Sequence, residues 1–523
     1  MNARKLAPLL LVLAGLLAYG NSFTAPFVFD DTSSVLNNDS IRHLWPIDNA
    51  LSPPSVAGVG GRPVFNLSLA VNYALGGLNV WGYHALNLAI HLLAGLTLLG
   101  VVRRTLQQPA LREHFGAAAN ELALATAVLW IVHPLQTESV TYVSERCESL
   151  MGLFYLLTLY CFIRGTASPD AGRWFTLSIA MCLLGMATKE VMVTAPLIVL
   201  LYDRTFVAGS FRAAWKRRWR VYAGLAATWG LVGYLMVGLH YRDVGYGLGL
   251  TWQAYAMTEC RSVVNYLCLA IWPHPLVFDH GSDIISNLAE AAPYALILLL
   301  LATGVIITLK RWPSIGFLGA WTFVILAPAS SVIPVVGQPM AEHRMYLPLA
   351  AVVTLVVMGV YALMGRRSVG VFLVLAVGLG ILTAERNEDY RTKLSIWTDT
   401  VAKSPNNVRA RCNLGRALLN AGKMPEAIDQ YEQALRIQPN FAPAHDSLAN
   451  ALVKEGQVDE AIRHYKLALR FDPGLADAHY DFAVALEKSG RVPEAIQQYA
   501  QALSLRPGYT AARSAVLRLQ GSP

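Results

Sequence analysis

The stretch GYHALNLAIHLLAGLTLLGVV at residues 82–102 decides the fold class. It contains no Asp, Glu, Lys or Arg, and Arg103 and Arg104 follow it directly. An uncharged apolar run of about 20 residues is long enough to cross the hydrocarbon core of a bilayer as a helix. The stretch therefore predicts a membrane-spanning helix, and similar runs recur up to residue 384.

The composition of the whole chain agrees with a membrane protein. The 523 residues are 54% hydrophobic and only 15% charged, whereas soluble globular proteins carry about 25% charged residues. This deficit excludes an ordinary cytosolic enzyme, a disordered chain and a collagen-like fibre. The net charge of +8 does not indicate a nucleic-acid partner, because most basic residues before position 385 lie in short clusters between apolar runs, where they orient membrane spans.

Eleven apolar runs of spanning or near-spanning length are predicted to cross the membrane. If the N-terminus is cytoplasmic, the loops on that side carry 17 Lys and Arg residues and the opposite loops carry 7. The positive-inside rule favours this orientation, which places the C-terminal tail outside. Residues 63–78 and 256–272 are expected to form interfacial or re-entrant helices. The predicted spans are 6–19, 82–102, 119–133, 148–163, 174–188, 191–203, 219–239, 291–309, 315–335, 346–364 and 369–384.

Residues 406–507 contain an internal repeat with a period of 34. Each block pairs two predicted helices around a glycine, places small residues and a tyrosine where the helices cross, and ends in proline. This is the tetratricopeptide pattern, which predicts an α-solenoid of stacked helix pairs. A linker with a degenerate half-repeat is predicted at 386–405, and a capping helix and tail at 508–523. The repeated positions are Gly422, Gly456 and Gly490; Ala427, Ala461 and Ala495; Tyr431, Tyr465 and Tyr499; Ala434, Ala468 and Ala502; and Pro439, Pro473 and Pro507.

The predicted fold is therefore all-α, with a polytopic membrane bundle at 1–385 followed by the solenoid. Charged residues gather in the loops that the predicted topology places outside. Charged groups in or beside membrane spans are costly and often mark functional sites, so these residues predict a shared cavity at the outer surface. The alternative is that they are ordinary solvated loop residues. They are Asp30, Asp31, Arg62, Glu138, Arg146, Lys189, Glu190, Glu342, His343 and Arg344.

The chemistry of these side chains favours a phosphate-bearing ligand. Arg and Lys bind phosphate, and Arg offers a planar fork of donors. A carboxylate beside them would suit deprotonation of a hydroxyl acceptor, and a cavity at a membrane that holds both implies a lipid-linked phosphate donor. The adjacent Asp30 and Asp31 could act as a base or as metal ligands, or could form a solvated pair. The sequence contains no phosphate loop, no dinucleotide-binding glycine motif and no metal-ligand spacing, so no metal site is predicted.

Several blocks of sequence resemble a known family. They include FVFDDTSSVLNNDSIR at 27–42, HPLQTESVTYVSERCESLMGLFYLLTLY at 133–160, GMATKEVMVTAPLIVLLYDRTF at 185–206 and AEHRMYLPLA at 341–350. In this order they are similar to successive blocks of the transmembrane and tetratricopeptide-repeat O-mannosyltransferases and their bacterial relatives. The resemblance runs over nearly the whole chain, repeats included. That family belongs to the GT-C glycosyltransferases.

The resemblance implies a GT-C-like bundle that transfers mannose or another hexose from a polyprenyl-phosphate donor to Ser or Thr hydroxyls of proteins. It implies that Asp30 or Asp31, in the first outer loop, takes the acceptor proton. It also implies that Arg146, Lys189 and Arg344 hold the leaving phosphate, whose developing negative charge they would stabilise. Metal independence is expected from the mannosyl branch, although other GT-C enzymes use a divalent cation.

The expected partners are the polyprenyl-phosphate sugar lipid, the bilayer, and acceptor or partner proteins bound by the repeats. The expected location is a bacterial inner membrane, with a cytoplasmic N-terminus and periplasmic repeats. Two alternatives stay open. One is a non-enzymatic scaffold whose repeats assemble an envelope complex, and the other is a glycosyltransferase that acts on lipid or polysaccharide. The array is shorter than in animal members of the family, so recognition of folded acceptor domains also stays open.

Overall fold

The computed structural model describes residues 3–54, 58–237, 251–330 and 338–521, and it divides into two compact units. The first unit comprises Met1–Phe278 and Ser282–Thr392, and the second comprises Asp279–Gly281 and Lys393–Pro523. Within the described residues all regular secondary structure is helical. The predicted all-α class is confirmed.

The first unit is a bundle of helices. Short 3-10 segments at Glu190–Thr194 and Glu342–Met345 and a π-helical segment at Thr32–Leu36 lie in its connections. The α-helices are α1 Ala3–Tyr19, α2 Ile47–Leu51, α3 Pro63–Gly76, α4 Val80–Leu106, α5 Pro109–Phe115, α6 Ala119–Ile131, α7 Thr137–Thr141, α8 Arg146–Ala167, α9 Ala171–Met186, α10 Ala195–Tyr202, α11 Phe211–Ala227, α12 Trp229–Val237, α13 Trp252–Ile271, α14 Leu288–Arg311, α15 Pro313–Leu326, α16 Pro348–Met364 and α17 Ser368–Asp389.

The apolar helices make the chain a multi-pass membrane protein. Four helical segments of the described residues are long and apolar enough to cross a bilayer, and a bent pair would make a fifth. Each predicted span overlaps a helix, although the ends of spans 219–239 and 315–335 lie outside the described residues. The total of eleven spans stays a prediction. The qualifying segments are Val80–Leu106, Val143–Ala167, Leu288–Arg311 and Pro348–Asp389, with Pro109–Ile131 plus Pro134–Thr141 as the bent pair.

Residues 63–78 and 256–272, expected to be interfacial or re-entrant, are covered by α3 and α13. Neither helix is among the segments that qualify as spans. Their helical character agrees with the prediction, and their depth in the membrane stays a prediction.

Buried aromatic contacts hold the centre of the bundle and fix the segment before α16. Trp130 of α6 donates its indole N–H to the carbonyl of Tyr346 at 2.9 Å, and the Tyr346 hydroxyl lies 2.9 Å from Nδ1 of His91. Gly152 of α8 allows this packing, because a Cβ there would overlap the Tyr346 ring. Close packing of this kind resists displacement, so residues 342–346 have a fixed position.

The connections expected on the outer side meet at one end of this bundle. The Val64 amide at the start of α3 donates to the Ala187 carbonyl after α9, at 3.0 Å. The Ser144 amide before α8 donates to Asp31 of the first loop at 2.7 Å. The His343 amide before α16 donates to Glu138 of α7 at 2.9 Å. Side chains from distant parts of the sequence are thus brought together.

The second unit has the helix pairs that the 34-residue period predicts. The glycines at the turns within the pairs, Gly422, Gly456 and Gly490, have φ of +76°, +87° and +77°, a region that favours glycine. The repeated alanines and tyrosines are buried, as predicted. The domain boundaries stay predictions. The helices are α18 Lys393–Lys403, α19 Val408–Asn420, α20 Met424–Ile437, α21 Ala442–Glu455, α22 Val458–Phe471, α23 Ala476–Lys488, α24 Val492–Leu505 and α25 Thr510–Leu519, the last in the place of the predicted cap.

Candidate functional site

Asp31 ties the first outer loop to the start of α8. Its Oδ1 accepts hydrogen bonds from the amide and hydroxyl of Ser144 at 2.7 and 2.5 Å, and its Oδ2 accepts from the Val28 amide at 2.9 Å. The side chain is fully buried. Burial raises the pKa of the Asp31 carboxyl to about 7, while the Ser144 and Val28 donors act in the opposite direction. These contacts indicate a structural role in the loop.

Asp30 has a different environment from its neighbour. It is partly exposed, and its backbone N–H donates to the Tyr142 hydroxyl at 2.8 Å. The preceding residue, Phe29, has φ of +44° and is the one non-glycine residue with positive φ in the described part of the chain. Such a conformation is strained, and strain of this kind concentrates at functional sites. Tyr142 precedes Glu145 by three residues, so the Asp30 backbone contacts the segment that carries part of the group of charges described next.

Seven side chains form what we call the charge cluster: Arg62, Glu138, Glu145, Glu148, Lys189, Glu190 and His343. Lys189 lies at its centre, with its Nζ 2.6 Å from Oε2 of Glu148 and 3.8 Å from Oε2 of Glu145. Burial lowers the pKa of Lys189, but the Glu148, Cys147 and Glu145 side chains outweigh burial and hold the pKa above its ordinary value. Lys189 is therefore a permanent buried cation.

His343 joins two carboxylates of the charge cluster. Its Nδ1 lies 2.9 Å from Oε1 of Glu138, and its Nε2 lies 3.5 Å from Oε2 of Glu145. Burial lowers the pKa of His343, but the Glu145 and Glu138 carboxylates outweigh this effect and raise the pKa above its ordinary value. The geometry therefore favours an imidazolium that bridges the two acids.

Arg62 and Glu190 form the most accessible part of the charge cluster. Their closest nitrogen and oxygen atoms are 3.4 Å apart, and the side chains are 16% and 39% exposed. Arg62 also donates to the Gly58 carbonyl at 3.1 Å. A Cβ at Gly58 would lie 3.9 Å from the Asp30 Cβ. Arg62 thus connects the loop of Asp30 with the charge cluster.

Arg146, predicted to hold phosphate, is fully buried among protein acceptors. Its Nε donates to Oδ1 of Asn87 at 2.5 Å, and its Nη1 and Nη2 donate to the carbonyls of Ser68 at 3.1 Å and Tyr83 at 3.0 Å. These contacts join α3, α4 and α8. They indicate a structural role, and substrate contact by Arg146 stays a prediction.

Arg344 and Glu342 lie next to His343 in the sequence but make other contacts. Arg344 donates to the carbonyls of Pro339 at 2.8 Å and Gln338 at 2.6 Å, and it lies 3.4 Å from Glu259 of α13. Glu342 accepts a hydrogen bond from the Val277 amide at 2.6 Å. Both side chains are buried, and their predicted roles in substrate binding stay untested.

The predicted set of site residues lacks four that the structure places there: Tyr142, Ser144, Glu145 and Glu148. Ser144 and Tyr142 carry no sequence signal, because their role depends on the position of the first outer loop. Glu148 has a weak signal, because Glu145 and Glu148 are three residues apart at the start of α8 and such residues share one helix face.

The charge cluster contains a group of side chains that could ligate a metal ion. Ligand atoms of Glu145, Glu148 and His343 lie within 4.8 Å of one another. However, the Lys189 ammonium contacts both carboxylates, and like charges repel at short range. The positive charge that a divalent ion would bring is therefore already supplied by lysine.

Comparison with known proteins confirms the resemblance to the O-mannosyltransferases. The chain is 26% identical over 509 residues to the protein O-mannosyl-transferase Tmtc3 of Drosophila melanogaster, which covers 82% of this chain and 55% of the relative. It is 26% identical over 493 residues to the protein O-mannosyl-transferase TMTC4 of Homo sapiens, which covers 81% of this chain and 65% of the relative. The chain thus spans between half and two thirds of the length of these relatives.

The repeats and the fold have further matches. Residues 408–441 match the family model described as tetratricopeptide repeat, and residues 449–490 match the model described as TPR repeat. The crystal structure of ArnT from Cupriavidus metallidurans bound to undecaprenyl phosphate aligns with a TM-score of 0.42 and 17% identity, over 90% of this chain and 80% of that chain. At this score the similarity supports no conclusion about the site.

Proposed function

We propose that the chain is a membrane glycosyltransferase that moves a hexose, mannose by similarity to the relatives, from a polyprenyl-phosphate donor to Ser or Thr hydroxyls of proteins. The observation that carries the proposal is the position of Asp30, a partly exposed carboxylate beside a charge cluster built from four separate connections. The names of the curated relatives support the reaction class.

In the proposed reaction Asp30 is the general base. The acceptor hydroxyl oxygen forms a bond to the anomeric carbon of the sugar, and the bond from that carbon to the donor phosphate oxygen breaks. The hydroxyl proton passes to the Asp30 carboxylate. The electron pair of the broken bond stays on the polyprenyl phosphate, which leaves with one more negative charge. Proton removal by a positioned base contributes roughly 10²–10⁴-fold to the rate of such reactions.

Arg62 is the proposed contact for the donor phosphate. Its pairing with Glu190 is loose at 3.4 Å and partly exposed, so an incoming phosphate can replace Glu190 as its partner. An arginine fork suits phosphate geometry. Lys189 and His343 are buried deeper, and their proposed role is to neutralise the neighbouring glutamates so that these do not repel the phosphate. We propose that the reaction needs no divalent ion, because Lys189 occupies the centre of the carboxylates.

Glycoproteomics tests this function in cells that lack the gene and are complemented with variants. Wild-type protein and Asp48→Asn should restore a set of peptides that carry hexose on Ser or Thr, whereas Asp30→Asn should not. Asp48 is the matched control, because it is an exposed acid in the same stretch before α3. Unchanged hexose peptides after gene deletion would favour the scaffold, and loss of a glycolipid alone would favour a lipid or polysaccharide acceptor.

The proposed location is a bacterial inner membrane, with the charge cluster and the repeats on the periplasmic side. The asymmetry of Lys and Arg between the two sets of loops supports this orientation. The repeats would hold acceptor or partner proteins. External protease should cleave a tag placed after Pro523 in intact spheroplasts and should spare a tag placed beside Arg217; the reverse pattern would invert the topology.

A further inference from the structure

An apolar cavity of about 660 Å³ lies towards the other end of the bundle from the charge cluster. On α4 its wall begins at Leu98 and ends at Leu106, whereas Asn87 of the same helix contacts Arg146 near the charge cluster. A helix rises 1.5 Å per residue, so Asn87 and Thr105 are separated by roughly 27 Å along α4. The cavity is therefore distinct from the proposed catalytic site, and its volume is within the range of about 300–1,000 Å³ found for ligand pockets.

The shape and lining of the cavity suit a hydrocarbon chain. Its wall on α16 runs from Ala350 to Ala362, a distance of roughly 18 Å along the helix. The opposite walls, from α4 and α15, are mostly aliphatic and aromatic. Gly359 lines the wall formed by α16, and a Cβ at this position would meet no atom within 4 Å. The space in front of α16 is long and apolar, and it lies among helices suited to a bilayer.

The end of the cavity away from the charge cluster carries polar and aromatic groups. Arg311, Trp312 and His114 line it and are exposed. Tryptophan and basic residues at helix ends are typical of the membrane–water interface.

We propose that this cavity binds one acyl chain of an anionic bilayer phospholipid, with the lipid phosphate at Arg311. The apolar walls accept the chain, and the Arg311 guanidinium donates hydrogen bonds to the phosphate. The donor lipid of the proposed reaction fits less well, because its phosphate would lie at the charge cluster and would leave Arg311 without an anion. Only this exclusion of the donor lipid rests on the proposed reaction.

Native mass spectrometry of the purified full chain with added phosphatidylglycerol or phosphatidylcholine of the same chain length tests the site. Phosphatidylglycerol should bind more tightly than phosphatidylcholine. Arg311→Gln should weaken phosphatidylglycerol roughly fivefold, as expected for one interfacial cation, and should leave phosphatidylcholine unchanged. Lys310→Gln is the matched control, because it removes the same charge from the adjacent residue, which does not line the cavity.

A second pair of variants tests the chain-binding part. Gly359→Leu should fill the groove and abolish binding of both lipids, whereas Gly370→Leu should not, since Gly370 is a helical glycine with equally open surroundings outside the cavity. Thermal unfolding and circular dichroism check that each variant is folded. Equal effects of Arg311→Gln and Lys310→Gln, or unchanged binding in folded Gly359→Leu, would overturn the proposal. Displacement of phosphatidylglycerol by equimolar polyprenyl phosphate would assign the cavity to the donor chain instead.

Discussion

Two adjacent residues with the same side chain have different environments in this protein. Asp31 is enclosed and accepts three hydrogen bonds, whereas Asp30 is partly exposed beside the charge cluster. The sequence predicts the acidic pair but cannot distinguish its members, because the distinction depends on Ser144, more than 100 positions away. For the same reason the sequence cannot show that Arg146 is surrounded by carbonyl and amide acceptors.

Asp31→Asn should destabilise the protein. The new amide NH₂ cannot accept a hydrogen bond, so a buried donor of Ser144 or Val28 loses its partner. Such a loss costs about 1–3 kcal/mol, and the apparent Tm of the detergent-purified chain should fall. Asp30→Asn and the exposed control Asp48→Asn should leave Tm within error of wild type. A Tm unchanged in Asp31→Asn and lowered in Asp30→Asn would reverse the two roles.

Among the elements, the solenoid helices were the most predictable. The period of 34 residues places every turn glycine and crossing alanine, because each helix pair packs mainly on its neighbours. The helices of the membrane unit were predicted in type but less well in bounds. The predicted span 191–203, for example, begins as the 3-10 segment Glu190–Thr194 before it continues as α10. Local hydropathy does not encode such breaks, since it does not distinguish a 3-10 turn from an α-helix.

A pair of histidines in the solenoid predicts that the stability of helices α21 and α22 depends on pH. Nδ1 of His445 in α21 lies 2.9 Å from Nδ1 of His464 in α22, while Nε2 of His445 faces the Pro439 carbonyl at 3.0 Å. Only one proton fits between the two rings. Burial and the neighbouring His445 lower the pKa of His464 below its ordinary value of 6.5. The charged groups that also act on it are Glu460, Arg463 and Glu432.

Because the unfolded chain binds a proton at His464 more readily than the folded chain does, stability should rise with pH. The contribution of neutral His464 to the free energy of unfolding is complete above about pH 6.5, the ordinary pKa of histidine. This contribution is lost as the pH falls below that value. Hydrogen exchange of peptides from α21 and α22, corrected for intrinsic rates, should show less protection at pH 5.5 than at pH 7.5. His464→Gln should remove this difference, since it copies the His479–Gln498 pairing of the next repeat. A difference that persists in His464→Gln would exclude the pair as its source.

At the scale of the whole molecule, the sequence indicated a membrane unit, a repeat unit and a set of charges in the predicted outer connections. The structure brings Arg62, Glu138, Lys189, Glu190 and His343 into one cluster with Asp30 beside it. The cluster was predictable as a group because the topology alternates loops between two sides. Its internal pairing was not, because the pairing depends on how α3, α7, α8 and the 3-10 segment Glu342–Met345 pack.

The most direct measurement of the central claim is sugar transfer by the purified full chain in liposomes. The donor is radiolabelled polyprenyl-phosphate mannose, and the acceptor is a peptide that loses hexose when the gene is deleted. We predict that Asp30→Asn lowers kcat at least roughly 100-fold with little change in the donor KM, while Asp48→Asn matches wild type. Wild-type kcat in Asp30→Asn, or no transfer from the polyprenyl-phosphate donor by wild-type protein, would contradict the account.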